Sequence, residues 1–345
     1  MRRNPANESA CQSLPSNASQ EAFVHAVGAA YLAKAEVADR DALSKWQPAG
    51  SAWALLRDLQ RRAAGMRRHV ATVDGHQLVW MEGGNPRGKP VLLLHGFTSS
   101  KENWLLMLPF LLQRHRVLVP DLPGWGESQF HPDADYSTDR QVARVAEWLR
   151  GVIHMPAHVV GSSMGGAIAG LLAARHPQQV ATLTLMNAAG LRGKRSSPFE
   201  RALLEGRNGL IARNFAEVMQ IFENVVERNR RPLMLALAPA LYSEWVSRRV
   251  VNLHLFAQLV AKPPCAGLPG IDAIRVPTLV LWGEQDRILD VSCADAFASL
   301  LPHAEIKRLR RVGHLPMIEV PGVTARRLRR FWERHTAPMV LVQAA

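Results

Sequence analysis

The chain has 345 residues, of which 48% are apolar and 21% charged, so it can bury a large core as one domain or as a domain with an insertion. Its net charge of +13 makes an anionic membrane surface, a nucleic acid or an acidic substrate a candidate partner, and a solvated basic surface is the plain alternative. Because stacking aromatics do not interleave the basic residues and no nucleic-acid module is present, we expect no nucleic-acid partner.

Targeting and redox signals are weak. The cysteines Cys11, Cys265 and Cys293 are scattered and form neither a disulfide framework nor a metal-ligand spacing, which favours a reducing compartment. The first residues are basic and then polar, so no signal peptide is predicted. Since no run of about eighteen uncharged apolar residues follows, no membrane span is predicted. We therefore expect a cytoplasmic protein, with peripheral membrane association left open.

An N-terminal extension precedes the regular part of the chain. Residues 1–20 are rich in Ser, Asn, Gln and Pro, a composition typical of disorder. A helix is predicted over Phe23–Val37, and Ser51 can cap a second helix, SAWALLRDLQRRAAG, with apolar residues on one side and arginines elsewhere. Such a basic amphipathic helix lies on an anionic membrane or packs against the rest of the protein, and both interpretations stay open.

Strands alternate with helices from His69 onward. Asp74-Gly75 predicts a hairpin turn, and the apolar run Val91–Leu94 is typical of a strand buried on both faces. Strands are predicted at His69–Val73, His76–Met81, Val91–Leu94, Arg116–Pro120, Ala157–Val160, Val180–Met186, Val276–Trp282 and Glu305–Leu309. Helices are predicted over about 101–113, from a capping box of Thr138 and Gln141, after Ser163, from about Ser292, and up to His335. The alternation predicts an α/β fold with a mostly parallel central sheet and helices on both faces.

Residues 190–270 interrupt this alternation, because they carry helical patterns and no strand signal. Asn214 and Glu217 can cap a helix with one apolar stripe, and Pro239 predicts a break in the pattern that follows. Such a length is too great for an unstructured connection, so we predict a helical cap inserted into the core. The predicted division is extension 1–68, first core part 69–189, cap 190–270, second core part 271–337 and tail 338–345.

The stretch PAHVVGSSMGGAIAGLLAAR places Ser163 in a G-x-S-x-G pattern between a strand and a helix of small residues. A side chain on so sharp a turn takes strained φ and ψ, and Gly161 and Gly165 beside it must lack bulk. The turn lifts the serine oxygen clear of the sheet, where the first amides of the helix favour an oxyanion. Taken alone the pattern is weak, since any glycine-rich turn before a helix can produce it.

Two more residues at predicted strand ends complete the order nucleophile, acid, histidine. His314 can take and return a proton near neutral pH. Asp286 would orient the imidazole and stabilise the imidazolium; Asp290 and Glu284 are alternates, since a one-turn shift in this loop exchanges them. Because functional residues collect at the carboxyl ends of parallel strands, Ser163, Asp286 and His314 form a candidate catalytic triad.

The backbone amides of Phe97 and Met164 are the candidate oxyanion hole. His95-Gly96 ends a buried strand, and a glycine there lets the backbone approach a substrate closely. For the His95 side chain we expect a structural hydrogen bond ahead of a direct role, and for Asp121 the organisation of its own loop. No metal site is expected, since the cysteines show no metal-ligand spacing.

Five motifs together resemble the α/β-hydrolase superfamily: LLLHGFTSSKENW, VLVPDLPGWGES, HVVGSSMGG, LVLWGEQDRI and GHLPMIEVP. Over roughly residues 69–335 the chain is most similar to bacterial lipases and esterases related to monoacylglycerol lipases. The resemblance implies ester hydrolysis without a cofactor, through an acyl-enzyme on Ser163, with the cap shaping the acyl pocket. Some of these relatives carry an apolar membrane anchor before this region, which this chain does not clearly show.

The predicted function is hydrolysis of lipid-like esters such as monoacylglycerols, because the apolar stripes of the cap favour a medium or long acyl chain. Dehalogenases and epoxide hydrolases of this fold have Asp at the position of Ser163, which argues against both. Carbon–carbon hydrolases of ring-cleavage pathways keep the triad and are the alternative, although they tend to be rich in Gly and Pro where this chain has Phe97-Thr98-Ser99-Ser100. A non-catalytic basic binding protein is the alternative from another class. The oligomeric state is not predicted.

Overall fold

A central sheet organises the residues that the computed structural model describes, which are 17–48, 52–227, 231–261 and 270–335. Its strands are β1 (Arg67–Val73), β2 (His76–Gly84), β3 (Pro90–Leu94), β4 (Arg116–Pro120), β5 (Ala157–Ser162), β6 (Val180–Met186), β7 (Thr278–Gly283) and β8 (Glu305–Leu309). They lie in the order β1-β2-β4-β3-β5-β6-β7-β8. β2 pairs antiparallel with β1 and β4, and the other pairs are parallel. The predicted mostly parallel sheet is confirmed.

The hairpin between β1 and β2 forms where Asp74-Gly75 predicts it. Asp74 has φ 49° and Gly75 has φ 75°, the left-handed pair that a two-residue turn requires, so Val73 pairs with His76. β3 is buried along its whole length. Its alternate residues enter two separate hydrophobic clusters on opposite faces of the sheet, Leu92 and Leu94 in one and Val91 and Leu93 in the other.

Helices cover both faces of the sheet. They are α1 (Asn17–Lys34), α2 (Arg40–Lys45), α3 (Ala52–Ala63), α4 (Thr138–Val152), α5 (Met164–Arg175), α6 (Pro198–Leu204), α7 (Phe215–Val225), α8 (Arg231–Ser247), α9 (Arg249–Ala261), α10 (Cys293–Leu300), α11 (Pro316–Glu319) and α12 (Pro321–His335). Buried residues of α4, α5 and α10 join the first cluster, and those of α12 join the second. No helix in the part of the chain described here is long and apolar enough to cross a membrane.

The helices α6 to α9 lie between β6 and β7, and we call them the cap. Helices of the N-terminal extension pack on the cap: α1 contacts α6 and α9, and α3 contacts α8. The Tyr31 ring of α1 meets the Phe256 ring of α9 edge to face at 4.9 Å. The Asn214 side chain caps α7 as predicted, by accepting the Glu217 backbone N–H at 3.0 Å.

The described residues of the extension differ from their prediction in two ways. They form three helices rather than one or two, because α2 is present as well, with Asp39 as its N-cap. α1 begins at Asn17, so the disorder predicted for residues 1–20 is wrong for 17–20, while residues 1–16 lie outside the described part. Tyr31 of α1 is buried against the cap, and this packing stabilises the helix. The composition of the sequence alone does not reveal such a contact. Ser51 also lies outside the described residues, so its capping role stays a prediction.

Three predictions in the core and cap are wrong. The helix over 101–113 is replaced by short 3-10 turns at Lys101–Trp104 and Leu108–Phe110, because Pro109 lacks a backbone donor. The N-cap of α4 is Ser137, whose Oγ accepts from the Arg140 N–H, so Thr138 already lies inside the helix. α8 continues through Pro239. The proline removes one helix hydrogen bond, and packing of the buried Ala238 and Leu241 compensates for this loss.

Candidate active site

The turn between β5 and α5 holds Ser163 at φ 55° and ψ −121°, a conformation that L residues rarely adopt. A Cβ on Gly161 would collide with the carbonyl oxygen of Gly165. A Cβ on Gly165 would collide with carbonyl oxygens at the end of β3. Both glycines are therefore required by the close approach of backbone segments. α5 begins at Met164, whose amide is among the first of the helix and has no acceptor within it.

His314 and Asp286 meet at the carboxyl ends of β8 and β7. His314 Nδ1 lies 2.7 Å from Asp286 Oδ2, and both side chains are buried. Asp286 Oδ1 accepts the backbone N–H groups of Ile288 at 2.8 Å and Leu289 at 3.0 Å, which fix the carboxylate. With Nδ1 facing Asp286, the imidazole keeps Nε2 for a reacting group. His314 and Ser163 line the same cavity.

The alternates for the acid do different work. Asp290 Oδ1 accepts the Ser292 backbone N–H at 2.8 Å, just before α10, and lies 3.3 Å from the Arg195 guanidinium. Glu284 continues from β7, and its backbone N–H donates to the Leu309 carbonyl oxygen at 3.0 Å. The carboxylate that contacts His314 is that of Asp286.

Asn187, which the sequence did not single out, holds the Asp286 carboxylate from a third strand end. Its Nδ2 donates to Asp286 Oδ2 at 2.6 Å and to the Gly313 carbonyl oxygen at 3.4 Å. Its Oδ1 accepts the Gly283 N–H at 3.3 Å. Asn187 follows β6 with φ 43°, which asparagine tolerates better than most residues. The sequence signal that could have identified Asn187 is its position directly after a strand of the parallel sheet.

The loop after β3 approaches Ser163 from the other side. A Cβ on Gly96 would lie 3.0 Å from Ser163 Cβ, and the next residue, Phe97, lines the cavity. The His95 ring is buried; its Nε2 accepts the Leu122 N–H at 3.0 Å, so Nδ1 donates to the Gly96 carbonyl oxygen at 2.8 Å. Burial lowers the pKa of His95 below its ordinary value. The expected structural role of His95 is confirmed.

A buried charge cluster anchors this loop, and the sequence did not reveal it. Lys101 Nζ lies 2.6 Å from Asp121 Oδ2, 2.6 Å from Glu127 Oε2 and 3.0 Å from Glu102 Oε1. Asp121 also accepts the backbone N–H groups of Glu127 at 2.9 Å and of Lys101 at 2.8 Å. Asp121 thus organises its own loop, as expected, and the loop of Phe97 as well.

Lys101 and Glu127 stabilise each other's charges, whereas burial raises the pKa of Glu102 above its ordinary value. Burial alone would lower the pKa of Lys101, but the carboxylates, Asp121 foremost, raise it above its ordinary value. Burial alone would raise the pKa of Glu127, but the Lys101 ammonium lowers it to about 2. Lys101 is therefore a cation held by at least one ionised carboxylate at neutral pH.

The cavity above Ser163 has a volume of about 230 Å³. Its apolar lining comes from the cap, the loop after β3 and the segment after His314, and includes Phe222, Val225, Leu237, Leu105, Leu315 and Ile318. Helix α3 adds Trp53, Arg57 and Gln60, so a helix of the extension forms part of the wall. Such a mostly apolar cavity with a few polar groups is typical of a small-molecule site.

The order of the sheet, the strained serine and the histidine–carboxylate pair place the protein among the α/β hydrolases. Comparison with known proteins supports the same class of protein. A family model described as "Alpha/beta hydrolase family" matches residues 91–327, and the chain belongs to this family.

Relatives of known name lie within the same family. Monoacylglycerol lipase ABHD6 of Bos taurus is 30% identical over 78% of this chain and 82% of its own length. Lipase 1 of Psychrobacter immobilis is 30% identical over 75% of this chain and 81% of its own length. Among solved structures, one described as a membrane phospholipase A, a novel bacterial virulence factor, has a TM-score of 0.75 and 34% identity, and the match covers 82% of this chain and 90% of that chain. The predicted kinship with monoacylglycerol lipases and bacterial lipases is confirmed.

Proposed function

We propose that this protein hydrolyses carboxylic esters of lipids with Ser163 as the nucleophile, His314 as the base and Asp286 as the acid of a catalytic triad. His314 Nε2 takes the proton of Ser163 Oγ as this oxygen attacks the ester carbonyl carbon. The amides of Phe97 and Met164 stabilise the oxyanion. His314 then protonates the leaving alcohol and next activates the water that hydrolyses the acyl-enzyme. The His314–Asp286 contact of 2.7 Å, beside a cavity shared with Ser163, carries the proposal.

The substrate is an ester with a medium or long acyl chain, such as a monoacylglycerol. The cavity walls support this, because α7 presents Ile221, Phe222 and Val225 to the space above Ser163. The lipases among the relatives support it as well. We also propose that the chain is divided into an N-terminal extension (1–68), two core parts (69–189 and 271–337), a cap region (190–270) that contains α6 to α9, and a tail (338–345).

Peripheral contact with an anionic membrane completes the proposal. Leu55 and Leu59, one turn apart on α3, are 67% and 57% exposed. Leu106, which lines the cavity, is also exposed. With a net charge of +13 on the chain, an apolar surface of this kind beside basic residues is suited to an anionic lipid surface. A lipid ester would then enter the cavity from the membrane side.

Labelling with a fluorophosphonate probe, read by intact-protein mass spectrometry, tests the triad. We expect one adduct on the wild type and on Ser299→Ala, a control serine on α10 outside the cavity lining. Ser163→Ala should take no adduct and show no esterase activity. An adduct that persists in Ser163→Ala, or a folded wild type that takes none, would refute the assignment.

A series of p-nitrophenyl esters from acetate to long acyl chains tests the substrate. We expect kcat/KM to rise with chain length up to a medium or long optimum, because each added methylene is buried against the cap. A sharp optimum at acetate contradicts the lipid substrate. Activity on a ring-cleavage dienoate without activity on any ester would favour the carbon–carbon hydrolase instead.

Sedimentation with phosphatidylglycerol or phosphatidylcholine vesicles tests the membrane contact. We expect binding to the anionic vesicles that salt weakens and that Leu55→Ser/Leu59→Ser reduces. Val37→Ser, which changes an exposed apolar residue outside α3, is the matched control. Equal binding of both variants would rule out α3 as the contact surface.

A further inference from the structure

The end of cap helix α7 is attached to both loops that carry the proposed acid and base. The backbone N–H of His314 donates to the Val225 carbonyl oxygen at 2.9 Å. Beside Asp286, the Arg287 guanidinium donates to the Glu223 carbonyl oxygen at 2.6 Å and to Glu227 Oε2 at 3.0 Å. This end of α7 therefore contacts both loops through a few defined hydrogen bonds, and the start of α6 also contacts the loop of Asp286, where Ser197 Oγ donates to the Ile288 carbonyl oxygen at 2.7 Å.

A single buried carboxylate, that of Glu319 on α11, joins the two sides of this contact. Both of its oxygens lie 3.0 Å from the Gly313 backbone nitrogen, and Oε1 lies 3.3 Å from the Leu315 nitrogen, so it holds the backbone on either side of His314. Its Oε2 also accepts the Glu227 backbone N–H at 2.8 Å, just beyond α7. Burial raises the pKa of Glu319 above its ordinary value, and these N–H groups oppose the rise by stabilising the carboxylate.

The packing at this point leaves little freedom. A Cβ on Gly313 would lie 3.1 Å from Glu319 Oε1, 3.1 Å from the Val225 carbonyl oxygen and 3.2 Å from the Glu227 nitrogen. Val225 belongs to both regions, because its side chain lines the cavity while its carbonyl oxygen holds His314. The seating of α7 and the position of His314 are therefore set by the same few atoms.

We propose that Glu319 is a positioning residue for the reaction, tying the end of α7 to the loop of His314 so that the base is in place only while this cap helix is seated. The inference rests on the proposed triad. Glu319 touches neither substrate nor reacting atoms; it acts by holding the backbone that presents the imidazole. The GHLPMIEVP motif contains both residues, five positions apart.

Two substitutions test the connection from opposite sides. Glu319→Gln replaces one carboxylate oxygen, which accepts backbone N–H groups, by an amide N–H₂ that cannot accept them. One contact of this side chain, either to the backbone beside His314 or to the Glu227 N–H, is then lost. Glu227→Pro removes the donor on the cap side and puts the ring carbon Cδ in the place of the N–H hydrogen, against the Glu319 carboxylate, so this contact cannot form. The preceding residue tolerates a proline after it, since Val226 has φ −121° and ψ 147°. Glu227→Ala is the matched control, because it also loses the contact with Arg287 but keeps the backbone N–H.

The readouts are kcat and KM on a medium-chain ester, the rate of fluorophosphonate labelling of Ser163, and the thermal midpoint. We expect Glu319→Gln and Glu227→Pro to lower kcat and the labelling rate by about tenfold to a hundredfold with little change in KM, since small misplacements of catalytic groups have effects of this size. Both variants should stay folded at the assay temperature, and Glu227→Ala should stay within about twofold of the wild type in kcat.

Other results would overturn the inference. They are a folded Glu319→Gln with kcat near that of the wild type, a change confined to KM, or equal losses in Glu227→Pro and Glu227→Ala. Labelling of the wild type at Ser163 separates the two proposals, because it upholds the triad whatever the Glu319 variant does. A wild type that is folded and unlabelled overturns both.

Discussion

Replacing Lys101 by methionine tests whether the buried charges hold the loop that carries Phe97. The substitution keeps an unbranched apolar side chain and removes the ammonium group 2.6 Å from Asp121 Oδ2. Both Lys101 and Asp121 are 0% exposed, so water cannot replace the lost cation. The orphaned carboxylate must then be accommodated in the interior or drawn toward solvent, which displaces the loop.

The size of the effect follows from what remains around the carboxylates. Removing one partner of a buried ion pair costs about 3 to 5 kcal/mol, because the other charge is left without compensation. Asp121 keeps two backbone donors, and the Arg57 guanidinium lies 3.8 Å from both Glu102 and Glu127. We therefore expect a loss of about 3 kcal/mol in the free energy of unfolding, at the lower end of that range.

Urea unfolding of Lys101→Met beside the wild type measures this loss. Lys45→Met is the control. Lys45 pairs with Asp41 at 2.7 Å on the surface, where the two side chains are 73% and 71% exposed, so the loss of this pair should cost little. We expect little change in the control and partial recovery in Lys101→Met/Asp121→Asn, which removes the orphaned charge. A Lys101→Met protein within about 1 kcal/mol of the wild type, the value of a surface pair, would refute the reasoning.

Two further predictions concern the acid and the charge cluster. Asn187→Gly keeps the backbone conformation and removes the donor 2.6 Å from Asp286, a charge-assisted bond of about 1.5 to 3 kcal/mol, so we expect kcat/KM for esters to fall about tenfold to a hundredfold. An unchanged kcat/KM in the folded variant would contradict the role of Asn187. Because the pKa of Glu127 is lowered to about 2 in the folded protein, its ionisation stabilises the fold above a pH of about 4.5, and this contribution is lost as the pH falls toward 2. In urea unfolding, Glu127→Gln should be less stable than the wild type at neutral pH, and its free energy of unfolding should fall less between pH 4.5 and pH 2. If the free energy of unfolding changes with pH in the same way in both proteins, this role of Glu127 is excluded.

The parts of the site that the sequence predicts are those with local signals. Ser163 is predicted because a strand, two glycines and a helix must follow one another in a fixed order for the turn to form. Asp286 and His314 are predicted because each follows a strand of a parallel sheet. The strand pattern likewise predicts the sheet, since buried strands are continuous apolar runs in the chain.

The parts that the sequence does not predict depend on which distant loops meet. Asn187 is 99 positions from Asp286, and the N–H of Glu227 is 92 positions from the Glu319 carboxylate, so no spacing along the chain connects them. Lys101 and Asp121 both lie in quoted motifs, yet nothing in either motif shows that the two charges are paired. The wrong helix prediction at 101–113 overlooked a local signal, Pro109. The break predicted at Pro239 is absent because packing of the buried Ala238 and Leu241 outweighs local propensity.

Trp53, Arg57 and Gln60 make the N-terminal extension part of the cavity wall. They line the cavity from α3, whereas the family match begins only at residue 91 and every proposed catalytic residue lies beyond that point. Substitutions in α3 can reshape the cavity without touching the triad. If the cavity selects the ester, as we propose, changes in α3 would alter the preference among substrates while every proposed catalytic residue stays the same.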